Sequence, residues 1–243
     1  MRSIRRAGAV VFDCDSTLSS IEGIEHLAGD KRPEIERLTE AAMRGAVPLE
    51  EVYGRRLDIV RPHRAEVEAL GRAYVDALVP DAAGVVAALH AESIEVRIVS
   101  GGLRPAVAFL AGWLGIEDDR VAAVGVTFGE GGEYAGFDVR SPLARSGGKR
   151  EVIRSWRDQL TTPVMLVGDG ATDLEAADVV EMFVAYAGVV DRAVVTAAAD
   201  AVVRSHSLAP VLALALGNEP PTAPAHRATF ERGQGLLDAH RIR

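Results

Sequence analysis

Asp13 and Asp15 flank Cys14 directly behind the apolar run Ala9-Val10-Val11-Phe12, and Ser16-Thr17 follow. Residues two apart in an extended chain share a face, so both carboxylates can converge at one strand end. Two adjacent carboxylates repel each other and call for a cation, a shared proton or water. Two other stretches have the same form. Ile94 to Val99 runs into Ser100-Gly101-Gly102, and Val164 to Val167 runs into Gly168-Asp169-Gly170-Ala171-Thr172-Asp173. Lys149 stands behind Gly147-Gly148 at a helix start. Brought to one place, these residues can handle a phosphoryl group. The carboxylates are hard oxygen ligands suited to Mg2+. Ser100 and the Gly101 and Gly102 amides can donate to phosphate oxygens, and Lys149 supplies a point charge. One carboxylate can attack phosphorus, while another protonates the leaving oxygen and later activates water.

The elements that must position these groups follow from periodicity. Ala9 to Phe12 reads as a strand buried on both faces, as in parallel sheets, and such sheets bind ligands at the carboxyl ends of their strands. From Ser19 to Tyr74 the pattern is helical and charged, broken at Pro33, at Gly45 to Pro48 and at Arg61-Pro62 into three or four helices. A helix begins near Val79-Pro80-Asp81, and another runs from Pro105 to Leu114. Val121 to Phe128 and Glu133 to Val139, joined by Gly129 to Gly132, read as one β-hairpin. A helix from Lys149 to Trp156, a strand over Met182 to Ala185 and a helix near Asp191 to Ala199 complete the series. Such alternation predicts a parallel sheet covered on both faces. The tail from Asn218 reads as a linker with a short helix, Phe230 to His240, held loosely.

Composition narrows the class. A chain of 243 residues suits one large domain or a core with a smaller insert. Hydrophobic residues make up 48% and charged ones 26%, which is ordinary for a folded chain. A net charge of −8 argues against a nucleic-acid partner. The basic start at Arg2, Arg5 and Arg6 has no long apolar segment behind it, so it is not a signal peptide. Leu208 to Leu216, the most apolar later run, is far shorter than the roughly 18 residues a membrane span needs. Cys14 is the only cysteine, so no intrachain disulfide can form and the cytoplasm is the expected compartment. A monomer or homodimer is expected.

Together, Asp13-Cys14-Asp15-Ser16-Thr17, Ser100-Gly101-Gly102, Lys149 and Gly168 to Asp173 resemble the four motifs of the haloacid-dehalogenase-type phosphatases. Glu22-Gly23-Ile24, Ala42 to Pro48, Glu133 to Phe137 and Ser146 to Lys149 resemble, more narrowly, the phosphoserine phosphatases of that family. The likeness runs from Gly8 to Leu216. It implies an α/β protein with a Rossmann-like parallel sheet core (1–18 and 80–217), an inserted helical cap (19–79), a small β-hairpin and a tail (218–243). It also implies Mg2+-dependent hydrolysis of a small-molecule substrate, phosphoserine, through an aspartyl-phosphate, as the last step of serine biosynthesis. By that likeness Asp13 is the nucleophile and also a metal ligand. Asp15 is the acid/base and binds the metal through its backbone carbonyl, Asp169 is a metal ligand, and Asp173 supports the metal site. Ser100, Gly101 and Lys149 hold phosphate; Glu22 takes the amino group, Arg56 the carboxylate, and Met43 and Thr172 line the substrate site. In one departure, Arg44 stands where the family usually has glycine.

Plainer readings compete at several positions. Glu22, Glu25 and His26 share a helical face, yet without a second histidine Glu25 and His26 read as solvated charge. The six histidines are scattered, which leaves no zinc set. Lys149 can simply offset charge at a helix start, one of the pair Arg55-Arg56 is expected at the surface, and Cys14 reads as a small core residue. A phospho-receiver domain gathers a similar set of groups, but it is about half this length and has no helical insert. A phosphotransferase of the same superfamily and a catalytically silent scaffold are also compatible with these residues.

Overall fold

The computed structural model of the chain describes residues 4–43, 49–217 and 219–241, with the side chains of 39–50 and 238–241 outside the description. In chain order the elements are β1 (Ala9–Phe12), α1 (Gly23–Ala28), α2 (Arg32–Met43), α3 (Leu49–Val60), α4 (Arg64–Asp76), α5 (Ala82–Ala91), β2 (Glu95–Leu103), α6 (Arg104–Trp113), β3 (Val121–Val124), β4 (Val126–Phe128) and β5 (Tyr134–Phe137). They continue with α7 (Gly148–Ser155), β6 (Val164–Gly168), α8 (Ala171–Leu174), β7 (Met182–Tyr186), α9 (Ala193–Ala198), β8 (Ala201–Val203), α10 (Ala209–Ala215) and α11 (Arg227–Arg241).

Six strands form one sheet in the order β3-β2-β1-β6-β7-β8, and every neighbouring pair is parallel. All four β1 residues are buried, as the unbroken apolar run predicts. Val10 and Phe12 pack with the side chains of α5 and α10, whereas Ala9 and Val11 pack with Ile153 of α7 and Val195 of α9. Period-two alternation therefore feeds two cores, one on each face. From β1 the chain winds outward through β2 and β3 on one side and through β6, β7 and β8 on the other. The crevice at the carboxyl ends of β1 and β6 is thus the switch point where such sheets bind ligands.

Helices α1 to α4 are inserted between β1 and α5. Their two connections run side by side: Ser20 N donates to the Ala77 carbonyl at 2.8 Å and Val79 N to the Leu18 carbonyl at 3.0 Å. Pro33 lies in the first turn of α2, where its missing N–H costs nothing, and the break before it falls at Gly29 with φ 50°. The break expected at Gly45 to Pro48 lies outside the described residues.

Several expectations need correction. Val121 to Phe128 is two strands in two sheets, not one arm of a hairpin. β3 extends the parallel sheet, the chain turns at Gly125, and β4 pairs with β5. An apolar run carries no mark of which sheet it joins. β2 also runs on through Ser100-Gly101-Gly102 to Leu103, with its register to β3 interrupted between Val99 and Leu103. β8 and α10 have no counterpart among the elements expected from periodicity, and the apolar run 208–216 is helical. Among the described residues no helix is long and apolar enough to cross a membrane.

The tail is docked rather than loose. α11 starts at Arg227, buries Phe230, and brings Gly233 against the Ala209 carbonyl so closely that a Cβ would clash. Arg232 reaches Asp81 at 2.6 Å. Glu92 ties both ends of the chain together: its carboxylate accepts from Arg6 at 2.7 Å and from the Thr222 amide and hydroxyl at 2.5 and 2.6 Å. Burial alone would raise the Glu92 carboxyl, but these donors hold it down at about 2, against an ordinary 4.5. A depressed carboxyl stabilises the fold above its unfolded value, and that stability is lost as pH falls through the folded one. Glu92→Gln is therefore expected to lower the thermal midpoint at neutral pH, with the gap from wild type closing as pH drops from about 4.5 to about 2. A gap that stays constant over that window would contradict this.

Candidate active site

The loop after β1 turns tightly. Ser16 has φ 52°, and the amides of Thr17, Leu18 and Ser19 converge on the Cys14 carbonyl at 3.3, 3.0 and 3.0 Å. This presents Asp13 and Asp15 at the sheet edge while Cys14 is buried as expected. Gly148 permits α7 to start against the Pro142 carbonyl, where any Cβ would clash, and so lodges Lys149 in the interior. Gly168 does the same for Asp173, whose carboxylate occupies the space a Cβ would take.

Lys149 Nζ lies 2.8 Å from Asp13 Oδ1 and 2.7 Å from Asp173 Oδ1. Asp13 Oδ1 also accepts from Cys14 N at 2.7 Å. Among the described residues no hydrogen bond reaches Asp13 Oδ2. Asp13, Asp169 and Asp173 bring carboxylate oxygens within 4.8 Å of one another, and all three are buried. Burial raises the Asp13 carboxyl well above its ordinary value; Lys149 opposes this, and the other three aspartates add to it. Asp169 is raised too, by burial and by repulsion from Asp173 and Glu22, with Arg192 opposing. Burial would depress Lys149, but Asp13 and Asp173 hold it above its ordinary value. Three buried carboxylates, two of them on Lys149 and the third on Arg192, have the donor chemistry of a hard divalent cation site.

Asp15 sits to the side of that cluster. Its Oδ1 accepts from Gly23 N and from Tyr74 Oη, each at 2.7 Å, and Ser100 Oγ lies 3.5 Å from its Oδ2. Burial, then repulsion from Glu22, pushes its carboxyl up to about 6, against the pull of Tyr74 and Gly23. Glu22 is held by Ser16 Oγ at 2.7 Å and faces Arg192 at 3.7 Å. Arg192 also pairs closely with Asp169.

Asp13, Asp15, Glu22, Lys149, Asp169 and Arg192 line a cavity of about 350 Å³ together with Val52, Tyr53, Arg56, Gly101, Gly102 and Thr172. Of the candidate residues, Asp13, Asp15, Glu22, Arg56, Gly101, Lys149, Asp169 and Thr172 thus share one cavity wall. Ser100 is fully buried behind the wall and accepts from Gly102 N at 2.9 Å. The Met43 side chain and all of Arg44 lie outside the described residues. Sequence reasoning missed Tyr53, Tyr74 and Arg192. For Arg192 the signal was available, since it follows β7, another strand whose carboxyl end opens on this edge. Glu25 is not simply solvated, because it faces Arg32 at 3.3 Å and Arg56 at 3.8 Å.

A parallel sheet with paired aspartates, a buried lysine and a further aspartate pair at its switch point defines a hydrolase of the haloacid dehalogenase-like class, whose family model matches residues 7–180. The chain is 38% identical over 189 residues to a phosphoserine phosphatase of Bos taurus, covering 76% of this chain and 84% of that protein. To the chloroplastic phosphoserine phosphatase of Arabidopsis thaliana it is 38% identical over 201 residues, covering 81% and 68%. A phosphoserine phosphohydrolase-like protein from Francisella tularensis superposes with a TM-score of 0.72 at 25% identity, covering 81% of this chain and 95% of that one. The chain belongs to the phosphoserine phosphatase family of haloacid dehalogenase-like hydrolases.

Lys149 is the counter-charge on which the cluster rests, and removing one partner of a buried ion pair costs about 3–5 kcal/mol. Lys149→Met is expected to lose stability on that scale in urea unfolding at neutral pH without added metal. A loss below about 1 kcal/mol would mean that the carboxylates do not need it.

Proposed function

We propose that this enzyme hydrolyses O-phospho-L-serine to L-serine and phosphate through an aspartyl-phosphate on Asp13. The observation that carries the substrate reading is Arg56. It lines the cavity, yet its buried Nε has no hydrogen-bond partner among the described residues. A buried guanidinium donor left unpaired is costly, and a carboxylate is its natural planar partner. Glu22, on the same cavity, suits an ammonium group. Phosphate, amine and carboxylate are the three polar groups of phosphoserine.

In this reading residues 1–18 and 80–217 are the catalytic core, and the helical insert 19–79 is a cap that carries Glu22, Met43 and Arg56 to the substrate. The paired connections at Ser19-Ser20 and Val79-Pro80 serve as its hinge. Asp13 and Asp169, with Asp173 behind them and the Asp15 carbonyl beside them, would hold Mg2+. That ion supplies charge neutralisation for phosphoryl oxygens. Asp13 Oδ2 attacks phosphorus as the phosphorus–oxygen bond to serine breaks, with Lys149 favouring the anionic form of Asp13 against burial. Asp15 gives its proton to the departing serine oxygen. Asp15 then takes a proton from water, whose oxygen attacks phosphorus as the bond to Asp13 Oδ2 breaks, releasing phosphate and restoring the Asp13 carboxylate. The Gly101 amide and Lys149 bear on the phosphoryl group, Ser100 supports that backbone from behind by accepting from Gly102 N, and Thr172 flanks the site.

The test compares wild type and Arg56→Ala, each on phosphoserine and on phosphoethanolamine, which lacks the carboxylate. Loss of Arg56 leaves a carboxylate unpaired, so kcat/KM on phosphoserine is expected to fall about 30- to 1,000-fold, with much less change on phosphoethanolamine. Equal wild-type rates on both substrates would overturn phosphoserine as the preferred substrate. Equal losses would put Arg56 at the phosphate or in the fold.

A further inference from the structure

Tyr53 and Arg56 are neighbours on one face of α3, three residues apart, and both reach the cavity. Tyr53 differs in where its polar atom goes. Its hydroxyl crosses from the helical insert to the core and donates to the Gly101 carbonyl at 2.8 Å. That carbonyl is available for a reason built into the sheet. The β2 pairing with β1 ends at Ile98, and the register to β3 is interrupted between Val99 and Leu103. The same peptide unit carries the Gly102 N–H, which donates to Ser100 Oγ at 2.9 Å, and Ser100 Oγ in turn lies 3.5 Å from Asp15 Oδ2. A run of hydrogen bonds thus leads from α3 through the Ser100 to Gly102 backbone to the edge of Asp15. Successive bonds of this kind polarise and orient one another. The Tyr53 ring is set by Phe137 of β5, with centroids 5.2 Å apart and planes at 58°.

We propose that Tyr53 is a positioning residue that couples seating of the α3 face to the geometry of the Ser100 to Gly102 segment of β2. The proposal rests on the phosphoserine reading above. When Arg56 engages the substrate carboxylate, α3 is held on the core and the Tyr53 bond to Gly101 is kept in place. The 101–102 peptide is then fixed with its N–H toward Ser100, and this end of β2 meets the phosphoryl group already ordered. A substrate without a carboxylate gives Arg56 nothing to pull on, so it gains little from Tyr53. Recognition of one end of the substrate is in this way felt at the other end.

The experiment is a double-mutant cycle with wild type, Tyr53→Phe, Arg56→Ala and the double variant, each assayed on phosphoserine and phosphoethanolamine. Phenylalanine keeps the ring on Phe137 and removes only the donor. Tyr53→Phe is expected to lower kcat on phosphoserine about fivefold with little change in KM, the fold-change that one hydrogen bond corresponds to. On phosphoethanolamine the change should stay within about twofold, and in the Arg56→Ala background Tyr53→Phe should add no further loss. Unchanged kcat on phosphoserine, equal losses on both substrates, or losses that simply multiply would each overturn the coupling. A wild-type enzyme inactive on phosphoserine would instead overturn the substrate reading and this proposal with it. The two failures are therefore distinguishable.

Discussion

Lys149 sits between Asp13 and Asp173 in a part of the protein that solvent hardly reaches. Carboxylates gathered at a sheet edge destabilise the folded state unless something compensates them. Much of the local architecture serves that compensation. A glycine lets α7 start where Lys149 points inward, and another leaves room for Asp173 beneath β6. Arg192, from the loop after β7, meets Asp169. Burial and mutual repulsion still raise the carboxyls of Asp13 and Asp169, an imbalance that a divalent cation would offset in the proposed reaction.

Core and insert divide the polar work unevenly. Asp13, Lys149, Asp169 and Asp173 all come from the core and cluster together. Asp15, though on the same loop as Asp13, is held chiefly by the insert, through Gly23 N and Tyr74 Oη. The group proposed to move protons is therefore oriented by the element proposed to recognise the substrate. If the insert closes as proposed, this arrangement would tie readiness for chemistry to its seating, as lids that complete a catalytic site do.

The strands that carry the chemistry are legible in the sequence because each is a short apolar run ending abruptly in polar residues. β1 and β6 begin where periodicity puts them, and Asp13, Asp15, Lys149 and Asp169 do meet in one cavity. The errors lie where pattern leaves the tertiary partner open. Val121 to Val124 and Val126 to Phe128 look like one strand until the sheet they join is known. Leu208 to Leu216 shows no helical period because nearly all of α10 is buried, so there is no polar face to mark it. Tyr53 and Tyr74 look like ordinary amphipathic helix residues, and only the folded chain brings their hydroxyls to Gly101 and Asp15. Family likeness alone singles out Arg56 in the sequence, since Arg55 beside it is chemically identical; orientation on α3 separates them, with Arg55 exposed against Glu51.

Everything proposed for the site turns on Asp13 taking the phosphoryl group covalently. Acid quenching of the enzyme during turnover of radiolabelled O-phospho-L-serine with Mg2+, followed by peptide mapping, measures this directly. Label is expected on the peptide containing Asp13, released by hydroxylamine and absent from Asp13→Asn, which should also fail to liberate phosphate. Steady phosphate release with no labelled peptide, or label on any residue other than Asp13, would contradict it.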